Sequence, residues 1–207
     1  MKLYGMPGAC SMVPHTALEW AKADYELKLV DHATLKSPEY RAMNPQGAVP
    51  MIVDGGFILT QNVAVLNYLN LRYPTAQLFG TGDYQRQAKA WQWLAFCNAD
   101  VHKRFMPIFS PDNMVSDPAA QAELKDKAKD RIAKLLDHPN TTLRQQDFLI
   151  GEKTIADMYL YVMLRWSSEN DIIAERHGAL RDFIQRMEQD SGVQAVLAQE
   201  GLDKVGQ

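Results

Sequence analysis

Cysteine is scarce in this chain: two in 207 residues, Cys10 and Cys97. Two thiols cannot make a disulfide framework, and such sparse use fits a reducing compartment. An excess of charge of either sign is also missing. With 22 Lys and Arg against 25 Asp and Glu, the net charge is -3 at neutral pH, which offers no broad basic surface to nucleic acid or anionic lipid. Long hydrophobic runs are absent as well. MYLYVML, at 158–164, is bounded by Asp157 and Arg165 and falls far short of the ~20 residues that a membrane span needs. The first residues, Met1 to Gly5, run into turn residues with no apolar signal core. The expectation is a cytoplasmic protein that binds neither membrane nor nucleic acid.

What is present is an ordinary globular composition, 46% apolar and 23% charged, patterned differently in two halves. Up to about residue 73, short strand-like runs alternate with helical stretches. KLYG (2–5) reads as a strand and is followed by a helix from about Ser11 to Ala23. YELKLVD (25–31) alternates, with Tyr25, Leu27 and Leu29 on one face; Leu3, Leu27 and Leu29 are expected in the core. VPMIVD and FILT flank Gly55-Gly56, a hairpin signal. A helix from about Gln61 to Tyr73 follows, with Thr60 as its expected N-cap. The stretch 32–48 reads as irregular, so the first half predicts a mixed four-stranded sheet.

YPTAQLFGTGD (73–83) reads as a linker, and beyond it no strand-like alternation occurs. The segment 84–105 is helical and rich in Trp. In 119–138, Leu124, Ala128, Ile132, Leu135 and Leu136 fall on one helical face, with a solvated charged face opposite. Thr154 with Asp157 three residues on predicts a capping box at the head of a buried helix. Another helix over 178–189 turns Leu180, Phe183, Ile184 and Met187 inward. The predicted organisation is an α/β domain over 1–78 and an all-helical domain over 84–207.

The chemistry is concentrated around YGMPGACSMVPH (4–15). Cys10 stands before a predicted helix, where unpaired N–H groups and the helix dipole would lower a thiol pKa from about 8.5 to roughly 3.5–7.5. The bland alternative is an inert buried cysteine, and position alone does not choose between them. NPQGAVP (44–50) leads into a strand at Val49-Pro50, where the Val49 N–H and C=O would face outward and could pair with an extended peptide. Gln61-Asn62 begins a helix, a natural place for a carboxylate. A thiol, a strand edge and a helix start together suit a short peptide bearing a thiol and a carboxylate.

These motifs, with HKRFMPIF (102–109) and TIADMYLYVMLRW (154–166), resemble the cytosolic glutathione S-transferases, specifically the bacterial cysteine-containing (beta) class. The resemblance runs nearly end to end. It implies a thioredoxin-like N-terminal domain, an all-α C-terminal domain and a homodimer. Glutathione would be the co-substrate, with no prosthetic group and no metal, and an apolar electrophile would lie between the domains. It also implies site residues. Cys10 would sit against the glutathione sulfur, Val49 would pair with the cysteinyl part, and Pro50 would be a cis-proline. Gln61 and Asn62 would hold the γ-glutamyl group, with Asn62 standing where relatives often carry serine. Lys36 would meet the glycyl carboxylate. His102, beside Lys103, would handle a proton near the thiol. Phe105, Met106, Phe109, Arg165 and Trp166 would wall the second-substrate site. Relatives often place a polar residue where this chain has Ala95, and Asn98 is the nearest substitute.

The function implied is conjugation of the glutathione thiol to small hydrophobic electrophiles. A glutathione-dependent thiol-disulfide reductase using Cys10, or a non-catalytic binding protein of the same fold, stays open at this point. His15 reads as a helix surface or packing residue.

Overall fold

The computed structural model describes residues 1–206, which fall into two compact units: Met1–Phe79 together with Glu188–Val205, and Gly80–Met187. The first is built on a four-stranded sheet in the order β2-β1-β3-β4, with β1 Lys2–Gly5, β2 Glu26–Leu29, β3 Met51–Asp54 and β4 Phe57–Thr60. β1 runs parallel to β2 and antiparallel to β3, and β3 pairs antiparallel with β4 through the Gly55-Gly56 hairpin. The central strands carry the core: Leu3, Met51 and Ile52 are fully buried, each worth roughly 1.5–3 kcal/mol against exposure. The edges do not. Leu29 is 44% exposed, so its expected core place is corrected. It closes an edge strand with no outer neighbour in the sheet, and alternation alone cannot tell an edge from a centre.

Helix α1, Met12–Trp20, joins β1 to β2 and buries Met12, Val13, Ala17 and Leu18. The stretch 32–48 is not irregular throughout. It folds into α2, His32–Lys36, and α3, Pro38–Met43, whose N-caps are Asp31, accepting from the Thr34 N–H, and Ser37, accepting from the Tyr40 N–H. Ser37 followed by proline at the first helical position is itself a start signal; the helices are too short to show a periodic face. Helix α4, Asn62–Arg72, is preceded by Gln61 rather than Thr60 at its N-cap.

The second unit is helical throughout its regular elements. Helix α5, Tyr84–Ala95, is N-capped by Asp83. The winding then widens to a π-helical stretch, Phe96–Val101, and tightens to a 3-10 turn, His102–Phe105, before α6, Met106–Phe109. Helix α7, Pro118–Leu143, runs past the expected end and through Pro139. Helix α8, Ile155–Glu169, carries the predicted capping box. The Asp157 carboxylate accepts from the Leu149 N–H at 2.8 Å as well as from the Thr154 N–H and hydroxyl, and burial pushes its carboxyl up to about 6. Helix α9, Gly178–Met187, buries Leu180, Phe183, Ile184 and Met187 as its spacing predicts.

Helix α10, Ser191–Glu200, has no counterpart in the sequence reading, and it packs with the first unit rather than the second. The Trp20 indole N–H donates to Asp190 at 2.8 Å, and α10 lies along α1. The expected 84–207 domain therefore differs from the compact units over 188–205.

Candidate active site

Two groups of residues carry the candidate chemistry, one in each unit. The first surrounds Cys10. Gly8, with φ +73°, turns the chain after Pro7, and the Ala9 N–H closes the turn on the Met6 carbonyl at 3.0 Å. Ser11 accepts from the Met6 N–H at 3.0 Å, locking the turn onto the start of α1. The Asn62 side-chain amide donates to the Cys10 carbonyl at 3.0 Å, tying the start of α4 to the same turn.

The thiol is 8% exposed, and its S–H donates to the Val49 carbonyl at 3.6 Å. Burial pushes it up to about 12, although its own N–H and the Asn62 side chain pull the other way. Of the two alternatives left open by position, burial favours the protonated thiol. Cys10 lies two residues ahead of the first helical residue and faces a carbonyl oxygen, so desolvation outweighs the helix start. It is a neutral thiol and a donor.

The loop opposite is pinned by side chains. The Ala48 carbonyl accepts from the Tyr40 hydroxyl at 2.8 Å and from the Asn44 amide at 2.7 Å. Gly47, with φ +58°, leaves no room for a Cβ, which would stand 2.6 Å from the Leu35 carbonyl. The Val49–Pro50 bond is cis. The Val49 N–H has no acceptor among the described residues. Gln61 holds φ 72° and ψ 119°, a conformation costing a non-glycine residue on the order of 1–3 kcal/mol and characteristic of functional sites. Its side chain donates to Gln46 at 2.7 Å. Cys10, Val49, Pro50, Gln61 and Asn62 are therefore brought together. Lys36 is exposed at the end of α2, and no hydrogen bond or ion pair joins it to them.

Sequence reasoning missed one part of this group. The Glu200 carboxylate, at the end of α10, accepts from the Gly8 N–H at 3.0 Å and stands 2.8 Å from His15 Nδ1. His15 Nε2 faces the Gln199 side-chain oxygen at 2.9 Å. The turn before Cys10 and the helix after it are both held by the last helix, across a sequence separation that leaves no local signal.

The second group lies in the helical unit around His102. Its Nδ1 is 2.9 Å from the Tyr159 hydroxyl, which donates to Asn98 at 2.8 Å. Burial, with the Lys103 charge adding to it, pushes the imidazole down to about 4, so the ring is neutral at pH 7. Trp166 meets it edge-on at 5.0 Å and also touches Phe105 and Phe109. Of the expected wall residues, Phe105 is fully buried, Trp166 and Arg165 nearly so, while Met106 and Phe109 are 56% and 51% exposed. The Arg165 guanidinium donates to the Tyr161 hydroxyl at 3.3 Å. Asn98 spends its amide oxygen on Tyr159; Ala95 lines a groove of about 460 Å³ with Trp93, Phe96 and His138. Tyr159 and Asn98 carried no sequence signal as partners of His102, because their meeting depends on the widened turn between α5 and the 3-10 segment.

A family description of the N-terminal domain of glutathione S-transferase matches residues 1–70, and that of the C-terminal domain matches 95–190. The chain is 40% identical over 204 residues to glutathione S-transferase GST-4.5 of Xanthomonas campestris, covering 98% of this chain and all of that one. The chain belongs to the glutathione S-transferase family. The solved glutathione S-transferase from Xylella fastidiosa superposes with a TM-score of 0.93 at 40% identity, over 98% of this chain and 99% of that one. A sphingomonad glutathione S-transferase solved with glutathione gives a TM-score of 0.84 at 34% identity, over 98% of this chain and 100% of that one. The C-terminal family match ends at 190, just where α10 begins as the transferase chain adds its last helix to the first unit.

Proposed function

We propose that the chain conjugates the thiol of glutathione to small hydrophobic electrophiles. The observation that carries this is the neutral Cys10 thiol, set between a strand-edge residue with an open N–H and a strained helix start at Gln61. A peptide thiol placed there gains a donor for its thiolate, and its backbone gains the Val49 N–H. Gln61 and the first N–H groups of α4 suit the γ-glutamyl carboxylate, with Asn62 acting from behind through the Cys10 turn. Lys36 is the candidate for the glycyl carboxylate. His102, neutral with a lone pair available, is the candidate acceptor for the thiol proton; burial makes it a weak base, so its contribution belongs at the lower end of the ~10²–10⁴-fold that a positioned base gives. The sulfur–carbon bond forms as the electrophile's leaving group departs. Met106 and Phe109 offer apolar surface, backed by Phe105, Arg165 and Trp166. The setting proposed is a cytoplasmic homodimer; among the described residues no helix is long and apolar enough to cross a membrane.

A thiol-disulfide reductase using Cys10 is disfavoured by the same geometry. Burial holds the Cys10 thiol well above the usual thiol range, so it keeps its proton at pH 7 and is a poor nucleophile. Turnover of 1-chloro-2,4-dinitrobenzene that saturates with glutathione is the test. No turnover of this or of a panel of aryl and alkyl halides would sink the transferase reading.

A further inference from the structure

The hydroxyl of Tyr159 is fully buried in the helical unit and joins two partners, His102 Nδ1 at 2.9 Å and the Asn98 side-chain oxygen at 2.8 Å. A phenol has one proton to give. Given to Asn98, it leaves the Tyr159 oxygen as an acceptor on the His102 side. The proton between Tyr159 and His102 then belongs to the imidazole. We propose that Tyr159 and Asn98 are positioning residues that hold His102 as its Nδ1–H tautomer, so that Nε2 keeps the lone pair and is the nitrogen that takes the proton.

The role of Nε2 rests on the transferase reading; the tautomer itself does not. The arrangement works because the hydrogen bond at one ring nitrogen decides what the other can do. Burial and the neighbouring Lys103 ammonium keep the ring neutral, and only a neutral ring has two tautomers to choose between. The Trp166 edge at 5.0 Å helps to fix the ring plane. Direction matters along the relay: Asn98 must present its oxygen, since its amide nitrogen there would push the Tyr159 proton toward His102 and reverse the tautomer. No metal or further reactant is involved.

The test uses the full chain with ¹⁵N-labelled histidine and long-range ¹H–¹⁵N correlation at pH 7, the His102 signal assigned by its loss in His102→Gln. Wild type is expected to show a protonated Nδ1 and an unprotonated Nε2. Asn98→Ala removes the acceptor, lets the Tyr159 proton turn to His102, and shifts the ring to Nε2–H. Tyr159→Phe releases the ring to a mixture of tautomers. With glutathione and 1-chloro-2,4-dinitrobenzene, Asn98→Ala should lose kcat about 100-fold, the lower bound for a positioned base, and Tyr159→Phe, which keeps part of the productive tautomer, about two- to fivefold, while KM for glutathione stays within about twofold. An Nε2–H signal in wild type, or a tautomer unmoved in Asn98→Ala, overturns the proposal. So does a kcat loss in Asn98→Ala without a tautomer change. Should Tyr159→Phe fail to fold, Asn98→Ala alone decides. Absent turnover in wild type with the expected tautomer pattern would strike the transferase reading and leave the relay standing.

Discussion

The Cys10 turn and the His102 turn both hold a titratable group neutral, but they are built from different materials. Around Cys10 the contacts are largely with backbone: the thiol donates to the Val49 carbonyl, Asn62 donates to the Cys10 carbonyl, and Glu200 accepts from the Gly8 N–H. Around His102 they are side chain to side chain, through Tyr159, Asn98 and Trp166. A backbone-built site needs particular φ and ψ values and tolerates no added atoms. A side-chain-built site tolerates exchange of atoms but depends on which way each hydrogen bond runs. Desolvation raises an acid and lowers a base, so burial alone yields a thiol that keeps its proton and an imidazole that stays neutral.

The sharpest way to break the backbone-built half is Gly47→Ala. A Cβ 2.6 Å from the Leu35 carbonyl, at φ +58°, forces the loop before Val49 to move. We expect a loss of about 3 kcal/mol in urea unfolding, at the upper end for single substitutions, together with loss of glutathione binding by calorimetry. Full retention of both would mean that the loop is far softer than its contacts suggest. Next comes Asn62→Ala, which removes the amide holding the Cys10 carbonyl. About 1–2 kcal/mol should be lost, as for one buried hydrogen bond; Asn62→Ser, which keeps a donor, should recover part of it.

The pH response sharpens the comparison further, within the helical unit. His102 has its folded pKa lowered from 6.5 to about 4. The stability it contributes is present above 6.5 and is lost as pH falls toward 4. Asp157 has its folded pKa raised from 3.8 to about 6; its contribution is present below 3.8 and is lost as pH rises through 6. The two oppose each other between pH 4 and 6. Thermal melts should show His102→Gln reducing the loss of Tm on acidification from pH 6.5 to 4.5, and Asp157→Asn making that loss steeper. Parallel curves for both variants and wild type would contradict the assignments.

Smallest of all is the surface. Glu123 and Lys127 pair across one turn of α7, both largely exposed. Glu123→Gln should leave the urea midpoint unchanged within measurement error, and a clear shift would show a role that the exposed pair does not suggest.

How legible the molecule is in its sequence follows the same division. Elements announced by local chemistry are read well: the Gly55-Gly56 hairpin, the Thr154–Asp157 capping box, the inward face of α9. Cys10, Val49 and Asn62 also meet in space, at a turn, a strand start and a helix start that leave marks in Gly, Pro, Gln and Asn. Misreadings arise where a tertiary fact has no local mark. Leu29 alternates like a core residue but ends an edge strand; at Cys10, position leaves two readings open and only its burial against a carbonyl separates them. Two short helices between 32 and 43 lack the length to show a periodic face, and only the Asp31 and Ser37 caps mark them. Glu200 and His15 meet across nearly the whole chain. Tyr159 and Asn98 reach His102 only because the helix changes its pitch between Phe96 and Phe105.

The central claim is that Cys10 serves as a neutral hydrogen-bond donor while the proton is taken elsewhere. The most direct test is kcat for glutathione and 1-chloro-2,4-dinitrobenzene in Cys10→Ala beside His102→Ala. The account predicts that Cys10→Ala stays within about tenfold of wild type, as for loss of one hydrogen bond, while His102→Ala falls by about 100-fold, as for loss of a base. The reverse order, with Cys10→Ala at background and His102→Ala near wild type, would contradict it.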